Sequence, residues 1–220
     1  MIEEFSKNIP STLLRKSGSV FYSGRDAFSN KADLYILGIN PGGDPDEQAS
    51  ETIAWHTKKV LQNEPDNWSA YRDESWKDSV PGTWSMQPRV LHLFNKLGYQ
   101  AGKVPASNVI FQRSRRESNI KHELRQLADE CWPFHQAILE ELEPKAILCF
   151  GNTAGDIVRK IVGANKQIDE FIETNNRRWR SRAYQGSSGI KVIVPTHPSI
   201  ADWTASDTDP TAMIKRVLSA

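Results

Sequence analysis

The stretch Leu34-Tyr35-Ile36-Leu37-Gly38-Ile39-Asn40-Pro41-Gly42-Gly43 constrains this chain more than any other. A short run of apolar residues stops abruptly in a proline- and glycine-built turn, which reads as a buried strand running into a tight loop. A strand that is apolar at successive positions must be covered on both faces, as in a sheet packed between helices. The two glycines are free to adopt positive φ and to present backbone N–H groups at close range, and Pro41 stiffens the turn. Asn40 then stands at the carboxyl end of the strand, where open α/β sheets hold their ligands. Taken alone, the same residues are also ordinary turn chemistry.

Three further runs repeat the pattern: Asn108–Phe111, Ala146–Phe150 and Ile190–Val194. Helical spacing of apolar residues falls between them, over Glu51–Leu61, over Val90–Leu97 closed by Gly98, and over Leu124–Leu142 ended by Glu143-Pro144. It returns from the Gly151 turn through Ile161 and over Ala212–Leu218. Strands alternating with helices predict a single α/β domain over residues 1–220, with a central parallel sheet flanked by helices on both faces. Residues 1–31 read as an N-terminal arm. Residues 62–80, where periodicity fails, read as a candidate mobile insertion. Residues 166–182 show no clear element but carry Arg177-Arg178-Trp179-Arg180-Ser181-Arg182. Parallel strands share one edge for their carboxyl ends, so Asn40, Asn108, the Gly151 turn and His197 are expected around one crevice.

Charge and cysteine content narrow the chemistry. The 220 residues carry a net charge of +1, so no global field draws the chain to nucleic acid or an anionic membrane, and such binding must come from local patches. Two cysteines, Cys131 and Cys149, are too few for a disulfide framework or a four-thiolate metal site and read as buried thiols. No basic-then-apolar leader and no run of membrane-spanning length is present, so a cytoplasmic protein is expected, acting as a monomer without a membrane partner. There is no Gly-x-Ser-x-Gly elbow and no phosphate loop ending in Gly-Lys-Ser/Thr. The five histidines share no ligand spacing, so neither a metal nor a cofactor is expected.

Gly38-Ile39-Asn40-Pro41-Gly42 near the start and His197-Pro198-Ser199 near the end resemble the two signature motifs of the uracil-DNA glycosylase superfamily. The first is most similar to the mismatch-specific and single-strand-selective branches, the second to branches with His-Pro-Ser. Between them, Gly82-Thr83-Trp84-Ser85, Asn108 and Phe150-Gly151-Asn152-Thr153-Ala154 resemble further landmarks in the family's order, so the likeness spans roughly residues 20–203. It implies an enzyme of base excision repair that flips uracil or a related damaged pyrimidine out of DNA and hydrolyses its N-glycosidic bond without metal or cofactor.

The resemblance also implies roles. His197 would donate to the pyrimidine oxygen as negative charge develops there, worth roughly 3–4 kcal/mol by analogy with an oxyanion hole. Asn40 would orient the attacking water, and as an amide it cannot act as a strong base, so a modest rate is implied. Gly38 and Ile39 would line the base pocket. Trp84 would stack on the base, or else pack in the core. Asn108 would read the base's Watson–Crick edge, or else cap a strand start. Gly42, Gly43 and Ser199 would hold phosphates, with Arg113, Arg115 and Arg116 and the cluster Arg177, Arg178, Arg180 and Arg182 as the basic patches. Ile200 or Trp203 would fill the space left by the flipped base, since the family's usual Pro-Leu wedge is replaced by Ile200-Ala201-Asp202-Trp203. Asp44, Asp46 and Glu47 set negative charge beside the first loop, which opposes DNA binding. Two other functions share these residues: a DNA- or uracil-binding protein that does not cut, and a hydrolase of free nucleosides or nucleotides.

Overall fold

The computed structural model describes all 220 residues. Four strands, β1 (Leu34–Gly38), β2 (Ala106–Asn108), β3 (Ala146–Cys149) and β6 (Lys191–Val194), pair in parallel in the order β2-β1-β3-β6. Beyond β6 the sheet continues as an antiparallel pair, β5 (Arg180–Gly186) and β4 (Ala164–Ile172). The result is an α/β fold on a six-stranded, mostly parallel sheet.

Alternation along each strand divides the core into two layers. Tyr35 and Leu37, Ile147 and Cys149, and Val192 and Val194 point to one face, where α6 (Leu124–Leu142) and α7 (Gly151–Ile161) cover them. The short helix α1 (Ile2–Ser6) and α2 (Ile53–Gln62) pack in the same layer. Leu34 and Ile36, Ala146 and Leu148, and Ile193 face the other side, under α3 (Ala70–Asp73), α4 (Gln87–Leu97) and α8 (Thr211–Ser219). The remaining helix, α5 (Glu117–Ile120), is short and lies near the sheet's carboxyl edge. Helices on both faces satisfy the demand made by the all-apolar β1. Cys131 and Cys149 are buried free thiols, as their apolar surroundings predict.

Several expectations are corrected. The N-terminal arm is part of the core, with Ile2, Phe5, Ile9, Leu13, Val20, Phe21 and Phe28 all buried in the α6 layer. The 62–80 segment is anchored rather than standing off the domain: Trp68, Ser69, Ala70 and Tyr71 are buried. The second strand is Ala106–Asn108, so Asn108 ends it instead of heading it. Val109, Ile110 and Phe111 are apolar because they are core, with only the backbone bonds Val109 N–H to Gly38 O and Ile110 N–H to Ile39 O continuing the pairing. The polar hairpin β4–β5 escaped the sequence pattern because its exposed positions offer no apolar period; it is held by the sheet ladder and by Arg180 and Arg182 on Glu170.

One buried polar pair titrates. His135 of α6 shares a hydrogen bond with Tyr35 Oη at 2.8 Å through Nδ1, and its Nε2 faces Val109 O at 3.3 Å. A carbonyl only accepts, so Nε2 carries the proton and Nδ1 accepts from the phenol. Burial holds His135 down to about 4. The unfolded chain therefore binds a proton near pH 6.5 that the fold rejects, and stability present above that pH is lost as pH falls toward 4. On the order of 2 kcal/mol should disappear between pH 7 and pH 5 from this group alone. Urea denaturation at the two pH values should show a gap that narrows in His135→Gln; an unchanged gap would contradict the assignment.

Candidate active site

The parallel strands end together, and a single open cleft of about 1610 Å³ lies over their carboxyl edge. The chain crosses from β2 on one side of β1 to β3 on the other, the switch point at which open α/β sheets form a crevice. Gly38, Ile39, Asn40, Asn108, Gly151 and His197 all line it. The expected convergence of these strand ends is therefore what the fold produces.

The Asn40 loop is tied down from below. The Asn40 Nδ2 group donates to Pro41 O at 2.9 Å and to Ser114 Oγ at 2.8 Å, with a longer contact to Gln112 O at 3.4 Å. With its donors spent on the protein, Asn40 keeps Oδ1 free as an acceptor, because no protein group donates to it. Arg113 braces the same loop: it donates to Gly42 O at 2.6 Å and to Ser17 Oγ, and pairs with Glu51 at 3.0 Å. Arg113 is thus a buried strut of the turn and not a free phosphate cation. Of the two glycines, only Gly43 uses positive φ, at 109°. The N–H groups of both Gly42 and Gly43 have no acceptor in the protein.

His197 is fixed from the opposite strand end. Its Nδ1 accepts the Ser199 backbone N–H at 3.0 Å and lies 2.8 Å from Ser199 Oγ. A backbone amide can only donate, so Nδ1 is unprotonated and the proton sits on Nε2, which has no partner in the protein. Burial holds this imidazole down to about 4, so it is neutral across the physiological range. Ser199 consequently positions His197, and its N–H is not available for a phosphate. Trp203 is likewise corrected from wedge to brace: it is fully buried, donates Nε1–H to Thr196 O at 3.0 Å, and packs edge-on against Phe150 at 5.8 Å. Phe150 in turn meets the His197 ring at 6.1 Å. Ile200 alone of the two remains exposed in the cleft.

Asn108 and Gly38 face each other across β1 and β2. The Asn108 side chain is buried, yet its Nδ2 has no hydrogen-bond partner. A β-carbon on Gly38 would sit 2.2 Å from Asn108 Oδ1, so only glycine leaves the amide where it is. An orphaned buried donor beside a cleft costs about 1–3 kcal/mol and is a group left for a ligand to satisfy.

The aromatic residues are arranged differently from expectation. Trp84 is half exposed at the rim of the cleft and is not core packing. The inner wall is made by Tyr22, Tyr71, Phe150 and Trp76, with Tyr71 meeting the rings of Trp76 at 5.9 Å and Phe150 at 6.2 Å. His56 of α2 also lines the cleft, with its Nδ1 buried and unpartnered. Burial holds it down to about 4 against the opposing charge of Glu74, with smaller lowering contributions from Lys59 and Arg113. Sequence reasoning missed these residues and Ser114. Only the unexplained His56 on an otherwise apolar helix face gave any signal, since the inner wall gathers segments with no common motif.

Most of the expected basic patch is already neutralised. Arg115 pairs with Asp44 at 2.5 Å, while Arg180 and Arg182 share Glu170 at 2.6 and 3.0 Å. Arg177 lies outside the cleft lining, paired with Glu173 at 3.1 Å, donating to Ile200 O, and stacked on Trp179 at 4.1 Å. Arg116 and Arg178 line the cleft without an acidic partner. No group of three or more His, Cys, Asp or Glu side chains comes together as a set of metal ligands. No helix is long and apolar enough to cross a membrane.

Comparison with protein-family models and with curated proteins finds no match to this chain.

Replacing Gly38 by Ala should swing the Asn108 amide out of the cleft wall, because the clash is with the movable end of a side chain. A crystal structure of the variant should show that rotation, with a melting temperature within about 4 °C of wild type. An unmoved Asn108 would refute the steric role assigned to Gly38.

Proposed function

We propose that the cleft is the active site of a DNA glycosylase of the uracil-DNA glycosylase type, hydrolysing the N-glycosidic bond of uracil or a related damaged pyrimidine. The observation that carries the reading is the state of His197. Its Nδ1 is occupied by the Ser199 N–H, so a neutral imidazole presents an Nε2–H donor toward the cleft. Cleavage of the glycosidic bond leaves electrons on the base, and their charge spreads from the ring nitrogen onto the carbonyl oxygens the ring carries. A fixed neutral donor aimed there stabilises the departing anion more than the bound substrate, which is what accelerates a reaction.

The other groups fit complementary tasks. Asn40, with both N–H donors anchored and Oδ1 free, is arranged to accept a hydrogen bond from water and orient it toward the sugar carbon. That water attacks as the bond to the base breaks, and its proton passes to solvent, because an amide takes none. The unsatisfied Asn108 Nδ2 and the aromatic inner wall suit the polar edge and flat faces of an extrahelical base. The free N–H groups of Gly42 and Gly43 suit a phosphate next to the flipped nucleotide.

The test is a labelled oligonucleotide carrying one uracil, incubated with protein and then treated with alkali. Wild type should yield strand breaks, His197→Ala should lose roughly 10²–10³-fold in rate, and an Asn40→Ala, His197→Ala double variant should be at background. Wild type no better than the double variant would sink the proposal. Because His197 titrates near 4 and not near 6.5, the rate should show no inflection from this group between pH 6 and pH 8. An inflection near 6.5 that vanishes in His197→Ala would contradict the neutral donor.

A further inference from the structure

We propose that the cleft binds DNA as a single strand, stacking unpaired bases on Trp55, Trp84 and Trp179, and not as a duplex gripped by its phosphates. This rests on the nucleic-acid reading above and adds the form of the substrate. Six large hydrophobic side chains are exposed on the whole molecule, and four of them line this cleft: Trp55 at 47%, Trp84 at 46%, Trp179 at 39% and Ile200 at 56%. Single exposed apolar residues need no explanation, but their concentration around one opening marks a binding surface.

The three tryptophans come from distant parts of the chain: the first turn of α2, the connection before α4, and the turn between β4 and β5. No local packing draws them together, and none is covered by the core. Arg177 lies over Trp179 at 4.1 Å and holds that ring at the cleft edge. Such aromatic platforms bind successive bases of a single strand whatever their sequence, because every base has a π-face. A duplex keeps its bases stacked inside and offers these rings nothing until it opens.

Charge points the same way. Eight lysines and arginines line the cleft, but so do seven carboxylates. Lys59 is held between Glu64 and Glu74, and Arg113, Arg115, Arg180 and Arg182 are paired as described. Lys77, Arg116 and Arg178 are the lining cations left without an acidic partner. A duplex clamp relies on many phosphate contacts, whereas three suffice to align a strand whose affinity comes from stacking.

The experiment is fluorescence anisotropy with a labelled mixed-sequence oligonucleotide containing no uracil, as a single strand and annealed to its complement. Wild type should bind the single strand at least tenfold more tightly, with a log–log salt slope of about −2, as roughly three neutralised phosphates on single-stranded DNA give. Each of Trp55→Ala, Trp84→Ala and Trp179→Ala should weaken binding roughly tenfold, and the corresponding Trp→Phe variants should recover most of the loss. Equal or tighter duplex binding, a slope steeper than about −5, or indifference to all three Trp→Ala changes would overturn the proposal. Because the probe has no base to excise, the outcome is separate from the glycosylase test. Excision with no single-strand preference discards only the stacking mode, while single-strand binding without excision discards only the chemistry.

Discussion

The structure depends on β1 being paired on both sides. Ile36, Leu37 and Gly38 align with Ala106, Ser107 and Asn108 of β2, while Leu34 to Leu37 align with Ala146 to Cys149 of β3. Every residue of β1 is buried, so its register cannot slip by one without turning apolar side chains to the wrong layer. That fixed register brings Gly38 opposite Asn108 and sends Asn40 and the Phe150-Gly151 turn to one edge. The Phe150 N–H to Leu37 O bond and the Gly151 N–H to Pro195 O bond extend the tie to the His197 loop. The cleft is a consequence of strand pairing, and the loops that line it inherit rigidity from the sheet.

Around the cleft, polar groups are spent or left free in a consistent way. Asn40 uses its donors on the protein and keeps its acceptor; His197 uses its acceptor and keeps its donor. Asn108 keeps a buried donor, and Gly42 and Gly43 keep two backbone N–H groups. A satisfied surface would waste none of these. An unpaired buried polar atom is costly in a fold with nothing to bind; Asn108 Nδ2 and His56 Nδ1 are two such atoms in the cleft wall, and they support a ligand whose polar edges complete them. Ser114, Arg113, Ser199 and Trp203 fix the others by hydrogen bonds and packing and so restrict their motion.

Much of this was legible in the sequence where local pattern and tertiary role coincide. The apolar runs at 34–38, 146–149 and 191–194 and the long amphipathic helix 124–142 are strands and helix as their patterns predict. The convergence of Asn40 and His197 followed from parallel strands sharing an edge, whereas Asn108 joins them because it ends β2 instead of heading a strand. Legibility failed where burial and secondary structure part company. Val109–Phe111 is buried coil, and the β4–β5 hairpin is sheet whose mostly polar strands lend only Ala164, Ile168, Phe171, Ala183 and Tyr184 to the core, too few to set an apolar period. The arginine run 177–182 looked like a phosphate patch because sequence hides its partners: Glu170 and Glu173 lie across the hairpin or within its turn, and pairing converts formal charge into local structure. Trp203 looked like a wedge because it follows the His-Pro-Ser motif, yet its indole N–H has a carbonyl to satisfy beneath the loop.

The proposed chemistry rests on His197 as a fixed, neutral donor, and nitrogen NMR of the imidazole tests that most directly. With labelled histidine and assignment by His197→Gln, the ring should be neutral at pH 7, protonated at Nε2 and bare at Nδ1, and should remain so as pH falls to 5. A ring protonated at Nδ1, or one that gains its second proton near pH 6.5, would contradict the account.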